Sequence, residues 1–311
     1  MNFSVTVLGT ASAIPNSKRN PSSQLINIHE RFFLVDCGEG TQIQIRKNKQ
    51  KLGKINHIFI SHLHGDHVYG LFALLSTYNL LDRNTTLHIY AHKNLKEILD
   101  FHEQHFIGNQ KFELVFHALP EGESIDVYED EHVLVSAFPL QHSIPTHGFV
   151  FKEKDRLRKI NKYKIEAYNI PVSQIMNIKN GADFITEEGA IIPNAELTLD
   201  PPPARSFAYC SDTAYTESIL PFIENVNLLY HEATFKDSEK ERAKTTQHST
   251  AKEAAKIAKL AKAERLLIGH FSSRYKYLDA LKKEAQTVFK ETELAVDGET
   301  YSIDEKITYP L

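Results

Sequence analysis

Residues 61–67 read Ser-His-Leu-His-Gly-Asp-His, which places His62, His64, Asp66 and His67 within six positions. Three imidazoles and a carboxylate this close are costly to bury unless a cation sits among them. Nitrogen and oxygen donors in this proportion suit zinc or another borderline first-row metal, whereas calcium and magnesium prefer oxygen-only sites. The chain contains 16 histidines, so chance clustering is the competing explanation, but four ligand-type residues in an H-x-H-x-D-H spacing behind an apolar run are hard to reach by accident.

The run Ile55–Ile60 before this cluster reads as a buried strand, and Val68–Leu75 after it as a helix. The cluster therefore sits on a strand-to-helix turn, with Gly65 allowing a tight bend. Three later residues repeat the arrangement of a ligand type just beyond an apolar strand: His142 after Val133–Gln141, Asp212 after Phe207–Ser211, and His270 after Leu266–Gly269. Sites in layered α/β proteins gather at strand ends, so the seven donors are enough for two neighbouring metals if one carboxylate bridges. Taken alone, Asp212 is equally a turn or N-cap residue. His248 stands just before a helix near Thr250, and Glu232 follows the strand ending at Tyr230. A His–Glu pair there is a candidate general acid, with an ordinary loop histidine as the alternative.

Elsewhere, Phe3–Leu8, Gln24–Ile28, Arg31–Asp36, Leu87–Ala91, Lys111–His117, Val133–Phe138, Gly148–Phe151, Ser206–Cys210, Val226–Tyr230 and Arg265–Gly269 read as strands. Thr41–Lys49, Asn94–His105, Thr250–Lys262 and 278–290 read as helices, and a last strand is expected near 294–303. Strands and helices mixed in this way predict a layered α/β fold. The 152–205 stretch is different. It opens with seven Lys and Arg against two acids and continues through turn-rich sequence, so it reads as a basic arm inserted into one domain spanning 1–311, or as a solvated surface insertion.

A net charge of −4 excludes a basic nucleic-acid binder as a whole while allowing a local basic patch. Two cysteines, Cys37 and Cys210, without a CxxC pair argue against a disulfide framework. Cys37 reads as a packed thiol. No signal peptide and no transmembrane run are expected, so the predicted location is cytoplasmic. The remaining histidines read as surface or packing residues, with His147 ambiguous.

The motifs Leu8-Gly9-Thr10-Ala11-Ser12, Asp36–Gln42, Ser61–His67, Ser211-Asp212-Thr213, His231-Glu232-Ala233-Thr234, His248-Ser249-Thr250 and Gly269–Tyr275 resemble the metallo-β-lactamase superfamily. Within it they resemble the short-form ribonuclease Z family of tRNA 3′-processing endoribonucleases. The resemblance implies a four-layer αβ/βα sandwich with an inserted arm. It implies two Zn²⁺ per subunit, for which Mn²⁺ or Fe²⁺ can substitute. His62, His64 and His142 would hold one ion, Asp66, His67 and His270 the other, and Asp212 would bridge. It further implies that a metal-activated hydroxide cleaves precursor tRNA 3′ to the discriminator nucleotide and leaves a tRNA 3′-hydroxyl. Asp66 would be the base, His248 held by Glu232 would assist the leaving group, and homodimers would use an arm of one subunit to grip tRNA on the other. Arg274, Lys159 and Lys162 are candidate phosphate contacts. The family's arm carries a Gly-Pro motif, and here the corresponding stretch, Ile170–Gly181, lacks that pair. The alternative function is a small-molecule phosphodiesterase on the same fold. A di-iron oxidoreductase fits less well, because such sites favour a carboxylate where His64 stands. A non-enzymatic RNA binder would not need so complete a ligand set.

Overall fold

The computed structural model describes residues 2–305. Several central strands are near-continuous apolar runs, because both of their faces are buried. In Arg31–Val35, for instance, Phe33 and Val35 enter one core cluster while Phe32 and Leu34 enter another. From the N-terminus the strands are β1 (Phe3–Gly9), β2 (Ser23–Ile28), β3 (Arg31–Val35), β4 (Ile55–Phe59), β5 (Leu87–His92) and β6 (Leu114–Leu119). Next come β7 (Ile125–Glu129), β8 (Val133–Leu140) and β9 (Thr146–Glu153). Four two-residue strands, β10 (Lys159–Ile160), β11 (Phe184–Ile185), β12 (Ile191–Ile192) and β13 (Thr198–Leu199), follow. β14 (Ser206–Cys210), β15 (Leu228–Glu232), β16 (Arg265–Gly269), β17 (Thr292–Leu294) and β18 (Thr300–Ser302) close the described series.

Two seven-stranded sheets result, ordered β18-β1-β2-β3-β4-β5-β6 and β17-β16-β15-β14-β9-β8-β7. Strands β3 to β6 run parallel, as do β14 to β17, and antiparallel strands complete each sheet. One core lies between the sheets and joins Phe33, Phe59 and Tyr90 to Phe149, Tyr209 and Leu267. On the first sheet's other face, α1 (Thr41–Lys47), α2 (Gly65–Leu80) and α3 (Leu95–His102) bury Ile45, Leu71, Leu74 and Leu99. On the second, α7 (Leu220–Ile223), α9 (Ala251–Leu260) and α10 (Asp279–Gln286) bury Ile223, Ala254, Ala258 and Leu281. The layers are therefore helix, sheet, sheet, helix, as the resemblance implies. The N-terminus of α9 carries the expected capping box, with Thr250 Oγ1 accepting from Glu253 N and Glu253 Oε2 accepting from Thr250 N.

Glu153–Ala204 belongs to a separate compact unit. It holds α4 (Lys162–Ala167), α5 (Val172–Lys179) and α6 (Asn194–Leu197), around a small core of Ile170, Ile178, Phe184 and Leu197. The turn-rich sequence hides these helices because each is two turns or fewer and owes its stability to packing rather than periodicity. α8 (Lys240–Thr246) and α7 are equally short and equally invisible to pattern.

Two other expectations need correction. The strand expected near 294–303 is two strands, β17 and β18, separated by a turn at Gly298 and paired into different sheets. Strand β7 was not anticipated, because its Ile-Asp-Val-Tyr-Glu sequence lies at a sheet edge, is largely solvent-facing, and carries a bulge. No described helix is long and apolar enough to cross a membrane. Both cysteines are free and buried.

The loop after β3 and the start of α2 meet backbone to backbone. Cys37 N donates to His67 O at 2.8 Å and Gly70 N to Cys37 O at 2.9 Å. A Cβ on Gly70 would lie 2.0 Å from Gly38 O, whereas one on Gly53 would meet nothing within 4 Å. Gly70→Ala is therefore expected to destabilise the chain by about 1–3 kcal/mol, a typical overpacking cost. Gly53→Ala is expected to change stability little. Denaturant melts of the two variants check this, and equal effects would show that the close approach is not enforced.

Candidate metal centre

The four ligand-bearing segments all leave the carboxyl ends of strands in the two sheets. Residues 61–67 follow β4, His142 follows β8, Asp212 follows β14 and His270 follows β16. The chain must turn at each, and the turn at His270 (φ 57°), like that at Asp36 after β3 (φ 56°), holds a non-glycine residue in the left-handed region. Such conformations cost of order 1–3 kcal/mol each and persist only where surrounding contacts fix them.

The seven donors predicted from sequence converge. His62 Nε2 is 3.0 Å from His64 Nδ1, which is 3.3 Å from His142 Nε2. Asp212 Oδ2 stands 3.5 Å from His62 Nε2 and 3.9 Å from His142 Nε2. A second group forms beside it, with His67 Nε2 3.3 Å from His270 Nε2 and Asp66 Oδ2 3.5 and 3.4 Å from those two nitrogens. Asp212 Oδ1 lies 3.5 Å from His67 Nε2 and 3.2 Å from His270 Nε2, so its two oxygens face the two groups.

These spacings fit a cation. Two ligands at about 2.0–2.1 Å from a tetrahedral metal lie roughly 3.3 Å apart. Facing imidazole nitrogens without an ion would set lone pair against lone pair. Asp212 Oδ1 is buried and has no hydrogen-bond partner, a costly state for a carboxylate oxygen unless a metal takes it. Burial disfavours a charged His67, yet Asp212, Asp36 and Asp66 together hold its pKa well above the ordinary value. The site therefore demands positive charge, which a metal supplies with the ring neutral. Burial lowers the pKa of His62, His64 and His142 and keeps their nitrogens free to ligate.

Behind the donors, a second set of hydrogen bonds fixes four of the five imidazole rings. His67 Nδ1 donates to Asp36 Oδ2 at 2.7 Å, His142 Nδ1 to Gln247 O at 2.9 Å, and His270 Nδ1 to Thr234 Oγ1 at 3.0 Å. His62 Nδ1 bonds Ser61 Oγ at 3.0 Å. Each bond sets the tautomer that turns Nε2 toward the centre. Asp36, which the sequence marks only as a strand end and as part of the Asp36–Gln42 motif, thus orients a ligand-type ring, a placement that sequence reasoning missed. The available signal was a carboxylate ending an apolar strand, the same signal that marked Asp212. Asp36 is fully buried and also accepts from Ser61 N, Ser61 Oγ and Tyr209 OH.

His248 borders the same pocket. Its Nδ1 donates to Glu232 Oε1 at 2.9 Å, and Glu232, wholly buried, also accepts from Thr213 N, Thr234 N, Thr234 Oγ1 and Ser249 N. Burial opposes charge on His248, but the Glu232 carboxylate outweighs it and raises the imidazole to about 9. The pocket of about 500 Å³ is lined by His64, Asp66, His142, Asp212, His248 and His270, with Tyr69 and Glu39 at its walls. Asp212, His248 and His270 also form a ligand-capable trio, so geometry alone leaves His248 two roles.

None of the three candidate phosphate contacts lines this pocket. Arg274 is occupied: its Nη1 donates to Glu239 at 2.9 and 3.0 Å. Lys159 and Lys162 are exposed in the 153–204 unit. Their neighbours Arg156, Arg158 and Lys164 are ion-paired with Glu305, Asp200 and Glu196. His57, His88 and His117, read as packing residues, form a cross-strand row in which His88 Nδ1 is 3.0 Å from His117 Nε2.

Comparison with known proteins agrees with this geometry. The family model for the anti-Pycsar protein Apyc1 matches residues 3–155. Ribonuclease Z of Porphyromonas gingivalis is 47% identical over 290 residues, 93% of this chain and 95% of its own length. Ribonuclease Z of Bacteroides thetaiotaomicron is 44% identical, covering 97% of this chain and 96% of the relative. Among solved structures, human tRNase Z, short form, superposes with a TM-score of 0.71 at 28% identity, over 97% of this chain and 99% of that one. The metallo-β-lactamase fold protein YhfI from Bacillus subtilis matches in fold, with a TM-score of 0.69 at 20% identity over 97% and 100% of the two chains. With the sandwich, the clustered donors and these full-length relatives together, the chain belongs to the ribonuclease Z family of metallo-β-lactamase fold proteins.

Proposed function

We propose that this chain is a zinc-dependent endoribonuclease that cuts precursor tRNA on the 3′ side of the discriminator nucleotide. The observation that carries the reading is the Glu232–His248 pair opening onto the same pocket as seven convergent donors. His62, His64, His142 and Asp212 would hold one divalent cation, and Asp66, His67, His270 and Asp212 the second. When bound, such ions lower the pKa of water toward 7 and neutralise phosphate charge.

The chain's own residues do the rest. Asp66, whose pKa is held low by His67 and His270 against the effect of burial, orients the attacking water and takes its proton. Attack at phosphorus breaks the bond to the 3′-oxygen of the tRNA. His248, protonated and braced by Glu232, delivers a proton to that oxygen. The products are a tRNA 3′-hydroxyl and a trailer with a 5′-phosphate. The full-length ribonuclease Z relatives support precursor tRNA as the substrate. A cytoplasmic homodimer is part of the same proposal, as are tRNA phosphate contacts by Lys159 and Lys162, for which the exposure of both lysines is the support. The Ile170–Gly181 stretch, which lacks a Gly-Pro pair, contains α5, and α5 exposes Val172 and Met176 about one turn apart.

His248→Ala is expected to lower turnover on precursor tRNA by about 10²–10⁴-fold. Metal analysis of that variant should still give about two ions per chain. Loss of metal would make His248 a ligand and end its role as acid.

Deleting 155–195 is expected to cut precursor cleavage about tenfold or more, a loss of about 1.4 kcal/mol of binding. Hydrolysis of a small phosphodiester should be spared. Equal activity on precursor tRNA before and after deletion would remove the arm from substrate binding and favour the small-molecule phosphodiesterase reading.

A further inference from the structure

A second groove, of about 470 Å³, is lined by segments that follow Thr234 and His270 in the chain. Lys236, Lys276, Tyr277 and Lys283 line it together with Arg274 and Asp279. Both of its walls start at metal-site residues. One runs from Thr234, whose hydroxyl bonds His270 and Glu232, to Lys236 two residues on. The Cα atoms of those residues are within about 7 Å of one another, by chain reach alone. The other wall runs from His270 through Ser272 and Tyr275 to Tyr277. Ser272 N donates to Thr234 O, which ties the two walls together.

The walls are held rigid by groups that leave the lysines free. Glu239 accepts from Arg274 Nη1 and from Tyr275 OH, and Lys236 N donates to Tyr275 OH at 3.1 Å. Arg19 Nη2 binds the carbonyls of Ser272 and Tyr275 at 3.2 and 3.0 Å. Arg274 thus serves as a structural strut. Among the described residues no carboxylate pairs with Lys236, Lys276 or Lys283, and Asp279 is the one acidic side chain in the lining. Lys236 Nζ lies over the Tyr275 ring and Lys276 Nζ over the Tyr277 ring, which is 71% exposed.

Three unpaired cations beside an exposed aromatic are the elements of a single-strand nucleic-acid track, in which lysines meet phosphates and a ring stacks on a base. A duplex offers no unstacked base to such a ring. We infer that this groove binds the single-stranded 3′ trailer of the substrate as it leaves the metal centre, with Lys236, Lys276 and Lys283 on phosphates and Tyr277 under a base. This rests on the precursor-tRNA reading and adds to it a binding site for the part of the substrate that is discarded.

The experiment compares the metal-loaded full chain with a Lys236→Ala/Lys276→Ala/Lys283→Ala variant and with Tyr277→Ala. Substrates are precursor tRNAs with trailers of about one and about ten nucleotides, and a small chromogenic phosphodiester. On the long-trailer precursor, KM is expected to rise about tenfold in each variant. In the triple variant, the salt dependence of log KM should weaken by about 2, from roughly 0.7 per single-strand phosphate contact. The short-trailer precursor and the small diester should be processed as by the parent chain, which also shows that the variants fold. An unchanged KM on the long trailer would overturn the groove, and an equal rise on both precursors would assign it to the tRNA body and overturn the trailer assignment. A parent chain that hydrolyses the small diester and cuts neither precursor would defeat the precursor-tRNA reading itself.

Discussion

The structure depends on one constraint: several carboxylates are buried together at the ends of strands, and each must be satisfied. Asp36 shows how this is met. It sits at a left-handed turn below His67, fully buried, and every donor it takes belongs to a neighbouring element: Ser61 on the metal loop, His67 on α2, and Tyr209 on β14 of the opposite sheet. Removing any of these leaves a buried carboxylate short of a donor, which costs more than an ordinary hydrogen bond contributes. The hydrogen bonds that orient the ligands are therefore the same ones that lock the two sheets in register.

Glu232 repeats the arrangement on the other side. Its five donors come from Thr213, Thr234, His248 and Ser249, so the loops after β14 and β15 and the N-terminal approach to α9 all close on one carboxylate. Only His248 among those donors has its other ring nitrogen free toward the pocket. A group so placed has a fixed orientation and a proton to give, which suits the leaving-group role proposed for it. The left-handed backbone at His270 belongs to the same economy of strain, since Thr234 Oγ1 holds its ring Nδ1.

Much of the sandwich and the donor set was legible because both are written locally. Strands buried on two faces appear as unbroken apolar runs, and a ligand just beyond such a run lands at a sheet edge where others gather. His62, His64, Asp66 and His67 are adjacent in sequence, and His142, Asp212 and His270 obey the strand-end rule. What stayed hidden depends on distant partners. Asp36 has the same local signature as Asp212, but its role exists only through His67, Ser61 and Tyr209. Arg274 looked like a free phosphate contact until Glu239, 35 residues earlier in the chain, was seen to hold it. The helices of the 153–204 unit are too short to show a period, and β7 is an edge strand whose acidic, solvent-facing sequence gives no apolar alternation to read. The turn between β17 and β18 breaks what looked like one strand, since Gly298 at φ 90° turns the chain toward the other sheet.

The central claim is that seven side chains were gathered to hold two cations bridged by Asp212. Crystals of the chain grown with zinc, measured on both sides of the zinc absorption edge, test it most directly. The account predicts two anomalous peaks per chain, one among His62, His64, His142 and Asp212 and one among Asp66, His67, His270 and Asp212. A single peak, or a peak ligated by His248 in place of Asp66 or His67, would contradict it.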